Sequence, residues 1–183
     1  MFSRVLLVAA TEIELCDHDG LVCGVGPVEA ALTTARALAL EPPDAVLHVG
    51  VAGAHRITPG SIVVGTEAVY CDIHAEVPVE TRVEPDAGLR AGMLAAWPHA
   101  LALPIGTTAA VNGPCSALAE TLRVEGMEGF AVLRACALAG VRAVEVRAIA
   151  NEIDERDRAR WQIVRGIEAL RDALPELLAA AEK

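Results

Sequence analysis

Aromatic residues are scarce: the 183 residues hold two Trp, two Phe and one Tyr, while 54% are hydrophobic. The core must therefore be built from aliphatic side chains, small enough to let helices approach strands closely. Few flat faces remain for stacking a ligand. Basic residues are also in the minority, 15 Lys and Arg against 25 Asp and Glu, for a net charge of −10. That sign is wrong for gripping a phosphate backbone at many points and argues against nucleic acid as a partner. No apolar run approaches the roughly 20 residues that a membrane helix needs, so no membrane association is expected. Residues 1–10 carry one Arg and a short apolar stretch that soon meets Thr11, Glu12 and Glu14. This is unlike a signal peptide, and the cytoplasm is the expected compartment. The five cysteines, at 16, 23, 71, 115 and 136, are odd in number and contain no C-x-x-C pair, which argues against a disulfide framework or a structural zinc site. A tandem repeat, a low-complexity tract and a Gly/Ser linker are all missing. One domain over residues 1–183 is expected, long enough to bury its own core.

What is present is an alternation of apolar strands and helices. Val5 to Ala9 and Leu21 to Val25 read as short buried strands. Gly26-Pro27 opens a helix reaching Glu41, with Pro suited to a first helical turn and Pro42-Pro43 ending it. Ala45 to Val51 follows as a central strand running into a Gly50-Val51-Ala52-Gly53 turn, and Ser61 to Tyr70 as another strand. Residues 72–85 lack a period and read as loop or edge hairpin, and Ala87 to Trp97 as a surface helix. Ala100 to Val111 contains a strand, Pro114 to Leu122 a short helix, Gly129 to Ala139 a longer one, and Ala143 to Ile149 a strand. From Glu155 onward, Trp161, Val164, Ile167, Leu170, Leu174 and Leu177 recur at three- and four-residue steps. That is an amphipathic helix, which Pro175 should kink or restart. The predicted fold class is α/β, a three-layer α/β/α arrangement about a mixed, mainly parallel central sheet.

Several constellations have ordinary explanations. Gly24-x-Gly26 lacks the third glycine of a dinucleotide-binding turn. Asp17-His18-Asp19 and Asp72-Ile73-His74 have no second ligand cluster and read as surface turns, not metal sites. His48, inside an apolar strand, reads as a hydrogen-bonded core histidine. Cys23 and Cys136 lie in aliphatic runs without the positive charge that a reactive thiolate needs. Glu14, Glu128 and Asn151 are harder to set aside. Each adjoins a strand end, where α/β sheets place ligands, although a cap, a turn or simple exposure would also account for any one of them.

Five strings occur in an informative order: Val25-Gly26-Pro27-Val28-Glu29-Ala30-Ala31, Val49-Gly50-Val51-Ala52-Gly53-Ala54, Gly60-Ser61-Ile62-Val63-Val64, Met127-Glu128-Gly129 and Val146-Arg147-Ala148-Ile149-Ala150-Asn151. In order and spacing they resemble the nucleoside phosphorylase superfamily over nearly the whole chain. The resemblance to its methylthioadenosine/S-adenosylhomocysteine nucleosidases implies that Glu128 holds the ribose 2′ and 3′ hydroxyls, with Met127 against the sugar. Ala10-Thr11-Glu12-Ile13-Glu14 is similar to their Ala-Met-Glu-Glu-Glu element, which implies Glu14 as the general base and Arg147 as a partner in holding water. Asn151 falls where those enzymes usually have the Asp that serves purine N7. An amide can donate to a 6-oxo group while its oxygen accepts N7–H, so hypoxanthine suits Asn151 better than adenine. Gly53 is expected at the substrate, and Ala109-Ala110-Val111-Asn112-Gly113 resembles the base-stacking loop with Ala110 in place of Phe. Val111 and Phe130 are then left to cover the purine.

Within the superfamily, the sequence is most similar to futalosine hydrolases of menaquinone biosynthesis, through Arg147 to Asn151 followed by Arg156-Asp157-Arg158 and Trp161. It departs from them at Ala150, where Ser is usual, at Phe130, and in a shorter segment between Glu14 and Gly24. The resemblance implies hydrolysis of a purine nucleoside without metal or organic cofactor, and a homodimer or higher homo-oligomer. A methylthioadenosine/S-adenosylhomocysteine nucleosidase, a purine nucleoside phosphorylase and a non-catalytic nucleoside-binding relative remain open as alternatives.

Overall fold

A computed structural model describes residues 4–73, 75–110 and 122–183. Its strands are β1 (Val5–Ala9), β2 (Leu21–Val22), β3 (Ala45–Ala54), β4 (Ile62–Tyr70), β5 (Arg82–Val83), β6 (Leu101–Thr107), β7 (Val124–Gly126) and β8 (Arg142–Glu152). Its helices are α1 (Pro27–Leu40), α2 (Ala87–Ala96), α3 (Gly129–Ala139) and α4 (Ile163–Ala181), with 3-10 turns at Glu12–Leu15 and Arg158–Arg160.

All the strands join in one mixed, mainly parallel sheet. β1–β2, β1–β3, β3–β8, β4–β6 and β6–β7 are parallel, whereas β3–β7, β4–β5 and β4–β8 are antiparallel. The pairings β3–β8–β4–β6–β7 return to β3 and close a ring. Ala52, Val63, Ile105, Val124 and Ile149, one from each strand of that ring, pack into a common aliphatic cluster.

Strand alternation sorts the other cores. Leu47, Val49, Val144 and Val146 pack with Leu89 and Met93 of α2 and with Leu170, Leu174 and Leu177 of α4. Val8, Val46 and Ala143 pack instead with Ala30 and Leu38 of α1 and Ala131, Leu133 and Cys136 of α3. Helices therefore cover both faces and make the three layers. The three α4 leucines are fully buried, and each contributes about 1.5–3 kcal/mol by leaving water.

Several local expectations change. β2 stops at Val22, because Gly24 and Gly26 leave the extended region at φ 85° and 92°. The expected turn at residues 50–53 is strand, and β3 continues through it to Ala54. β7 was not anticipated, since its three residues are too few to display a period. α4 begins at Ile163 and runs through Pro175 as one element. The helix expected over 114–122 falls outside the described residues except for Leu122.

Candidate active site

At the end of β1 the chain turns through Thr11 into Glu12–Leu15, and this 3-10 turn carries Glu14 inward until it is only 6% exposed. Its Oε2 accepts the Thr11 hydroxyl at 2.7 Å and the Thr11 N–H at 3.1 Å, and its Oε1 accepts the Val51 N–H at 3.0 Å. Among the described residues these three bonds fix the carboxylate and leave one of its roughly four acceptor positions unused.

Glu128 stands at the N-cap position of α3, yet its side chain does not cap that helix. Its Oε1 accepts the Gly26 N–H at 3.0 Å, and its Oε2 lies 3.5 Å from Arg147 Nη2. Only a residue tolerant of φ 92° can present that Gly26 amide, which accounts for the glycine.

Arg147, on β8, is fully buried behind these two carboxylates. Its Nε donates to Glu145 Oε1 at 2.7 Å and its Nη2 to His48 Nε2 at 2.6 Å. With Nε2 accepting, the imidazole proton is assigned to Nδ1, which donates to the Val8 carbonyl at 3.1 Å. Burial, then the neighbouring guanidinium, push His48 well below its ordinary value and keep it neutral. Burial also raises Glu145 against the pull of Arg147. Burial works against the charge of Arg147, but Glu145, Glu128 and Glu14 together outweigh it and raise its pKa. Its Nη1 has no partner among the described residues. A Cβ at Gly50 would collide with Nη1 and come within 2.8 Å of Glu14 Oε1, so this glycine makes room for charge.

The β3–β8 register slips at the site, passing from Ala52↔Ile149 to Gly53↔Asn151. One extra residue on β8, Ala150, forms a bulge, a device that re-aims the side chain after it. Asn151 Nδ2 donates to the Glu152 carbonyl at 3.0 Å and lies 2.9 Å from where a Gly53 Cβ would stand.

These groups meet at a cavity of about 260 Å³. Glu14, Gly53, Met127, Glu128 and Asn151 line it together with Thr11, Val51, Glu125, Ile153, Trp161 and Ile167. It is an acidic pocket with an apolar wall. Among the described residues no group of three His, Cys, Asp or Glu gathers as a metal site requires, and no helix is long and apolar enough to cross a membrane.

The model of the phosphorylase superfamily matches residues 20–182. Futalosine hydrolase of Streptomyces coelicolor is 34% identical over 187 residues, covering 90% of this chain and 80% of that protein. Its counterpart from Thermus thermophilus is 34% identical over 192 residues, covering 87% and 80%. The chain belongs to the phosphorylase superfamily, in the futalosine hydrolase family. The fold agrees with solved members of that superfamily. A 5′-methylthioadenosine/S-adenosylhomocysteine nucleosidase from Colwellia psychrerythraea, in complex with adenine, superposes with a TM-score of 0.88 at 19% identity, over 100% of this chain and 97% of that one. The futalosine hydrolase of Helicobacter pylori does so with 0.85 at 15% identity, over 97% of each.

Not every anticipated residue of this futalosine hydrolase family member reaches the cavity. Phe130 does not line it: its ring stacks on Tyr70 with centroids 5.3 Å apart, and its N–H donates to Thr107 Oγ1 at 2.8 Å. Those contacts hold the start of α3 against the ends of β4 and β6. Ala110 is exposed and also outside the lining, while Val111 lies outside the described residues. Arg147 stands behind the wall, not in it. Trp161 supplies an aromatic face instead, anchored by its Nε1–H on the Glu155 carbonyl at 2.8 Å. Glu145 was missed altogether. Its signal was an acid two residues from Arg147 in an aliphatic strand, a spacing that puts both on one face.

Proposed function

We propose that this protein is a purine-nucleoside hydrolase that cleaves futalosine to hypoxanthine and dehypoxanthinyl futalosine, with Glu14, Glu128 and Asn151 as its working side chains. The observation that carries this reading is the convergence of those three residues, distant in sequence, on one cavity. Kinship with two futalosine hydrolases supports the choice of substrate.

Cleavage of a glycosidic bond leaves positive charge on the sugar and negative charge on the departing base. Glu128, fixed by the Gly26 amide, accepts the ribose hydroxyls and stabilises that positive charge. Glu14 uses its remaining acceptor position for a water directed at C1′. Arg147 backs the site from behind its wall, ion-paired with Glu128 and acting on Glu14 through its charge. Its Nη1, without a partner among the described residues, lies with Glu14 Oε1 over Gly50, where its charge keeps Glu14 in place as the base. Asn151 has one Nδ2 hydrogen left for a 6-oxo group. As N7 takes a proton from solvent water, the Asn151 Oδ1 accepts the N7–H so formed, which helps the base leave while Glu14 takes the proton of the attacking water. No step calls on a metal or organic cofactor. Three carboxylates around one guanidinium repel inorganic phosphate, which favours hydrolysis over phosphorolysis.

We further infer a cytoplasmic enzyme that works as a homodimer. Ile13 and Val25 line the cavity while remaining 61% and 56% exposed, and Val28 and Leu32, one helical turn apart on α1, continue the apolar strip at 67% and 65%. A second copy laid on that strip would bury it and close the lip.

The test is incubation with futalosine, inosine and methylthioadenosine, with and without phosphate, followed by chromatography of base and sugar. Hypoxanthine and free sugar from futalosine, independent of phosphate, are expected. Preferred release of adenine, a sugar 1-phosphate, or no cleavage at all would sink the reading in favour of a nucleosidase, a phosphorylase or a binding protein respectively.

A further inference from the structure

Glu125 is a cavity residue that the mechanism above does not use. On β7 it pairs across from Gly53, and on the other side of β3 the same glycine pairs with Asn151. Glu125 and Asn151 thus flank one residue that has no side chain to separate them, and all three line the cavity. Among the described residues no Lys, Arg or His forms an ion pair with Glu125. Its one hydrogen-bond partner there is Thr108, whose Oγ1 lies 3.2 Å from Glu125 Oε1 and 3.1 Å from the Ala110 carbonyl. A hydroxyl has a single proton to share between those two acceptors. Among the described residues the carboxylate is left short of donors.

We propose that Glu125 reads position N1 of the purine and makes the site selective for a 6-oxopurine over a 6-aminopurine. This rests on the nucleosidase reading and on Asn151 facing the base. Asn151 alone discriminates weakly, because an amide can turn its oxygen or its nitrogen toward position 6. N1 has no such ambiguity: in a 6-oxopurine it carries a hydrogen, and in a 6-aminopurine it carries a lone pair. A carboxylate oxygen accepts the first and repels the second. Leaving a buried polar group unpaired is what lets a site reject the wrong partner strongly. Burial, helped by Asp72 and Asp154, already raises the Glu125 pKa against the opposing effects of Thr108 and His55. An N–H donor from a ligand would relieve that strain on the ionised form.

The test compares wild type, Glu125→Gln and Glu125→Ala on futalosine and its 6-amino counterpart, reading kcat/KM for each. Calorimetric titration with free hypoxanthine and free adenine gives the same ratio without requiring turnover. We expect wild type to favour the 6-oxo substrate, and both variants to lose at least about tenfold of that preference, by analogy with sites built around one substrate hydrogen bond. Glutamine, whose amide can donate to the N1 lone pair, should restore part of the 6-amino activity. Folded variants with unchanged ratios, or a wild type that prefers the 6-amino series, would overturn the assignment. A wild type that binds hypoxanthine through Glu125 but cleaves nothing would refute hydrolysis and leave the base contact standing.

Discussion

Three carboxylates and a neutral imidazole surround the Arg147 guanidinium, and their unequal tasks can be separated by substitution. Glu14 and Glu128 face the cavity, so Glu14→Gln should lower kcat by about 10²–10⁴-fold with little change in KM, as expected for loss of a general base. Glu128→Gln should lower kcat/KM by about 10²–10³-fold through weaker binding of the charged sugar. Steady-state kinetics on futalosine checks both; equal effects on KM alone would deny them a catalytic role. His48 gives a pH signature. Its folded pKa lies well below the ordinary 6.5, so as pH falls through 6.5 the unfolded chain takes up a proton that the folded one refuses. Stability should therefore decline toward acid, with a slope approaching about 1.4 kcal/mol per pH unit. Glu145, raised by burial, acts in the opposite direction over the acid range. The difference between denaturation curves of wild type and His48→Gln, measured from pH 7.5 to 5, isolates the histidine. Parallel curves would mean that His48 titrates in the folded state. Glu14, Glu128 and Asn151 were legible as candidates because each adjoins a strand end, and the family resemblance supplied the roles expected of them. Glu145 showed only its two-residue spacing from Arg147, and its place beside His48 depends on the pairing of β8 with β3.

Elements with a full period were legible and short ones were not. The 3.6-residue recurrence gave α3 its observed limits, whereas the glycines at 50 and 53 suggested a turn because local chemistry alone cannot distinguish a bend from a close approach. Here β3 stays extended and the missing side chains admit Arg147, Glu14 and Asn151. The bulge at Ala150 had no signature either, since it exists only relative to the partner strand. Pro175 was expected to kink or restart the helix, and it does not restart it. It sits on the exposed side of α4, between buried Leu174 and Leu177, and the packing of those leucines carries the helix past it. Proline still removes a backbone hydrogen bond and crowds the preceding turn, at a typical cost of about 3 kcal/mol. Pro175→Ala is therefore expected to stabilise the protein by about 1–3 kcal/mol, the lower end allowing for the greater freedom of its unfolded chain. A thermal melt showing no gain would mean that α4 has already relaxed around the ring.

For the whole molecule, strand and helix alternation was enough to foresee two helical layers about a sheet, because an aliphatic strand buried on both faces needs cover on both. Ring closure through β7 was beyond reach, for it depends on pairings between segments far apart in sequence. The exposed strip of Ile13, Val25, Val28 and Leu32 is a property of this closed shape, since it joins residues of a turn, a loop and a helix at the cavity lip. Burying such a strip between two copies is favoured by roughly 25 cal/mol per Å² of apolar surface. The dimer should then scatter light as twice the 19.1 kDa chain. Leu32→Glu places a charge in the shared surface without touching Glu14, Glu128 or Asn151, so it should yield a folded monomer with an unchanged circular dichroism spectrum. Because Ile13 and Val25 belong to the cavity lining as well, the monomer should also show a raised KM for a nucleoside with a bulky 5′ group and a nearly normal KM for inosine. A variant that remains dimeric, or a monomer that handles both substrates as wild type does, would place any pairing surface elsewhere on the molecule.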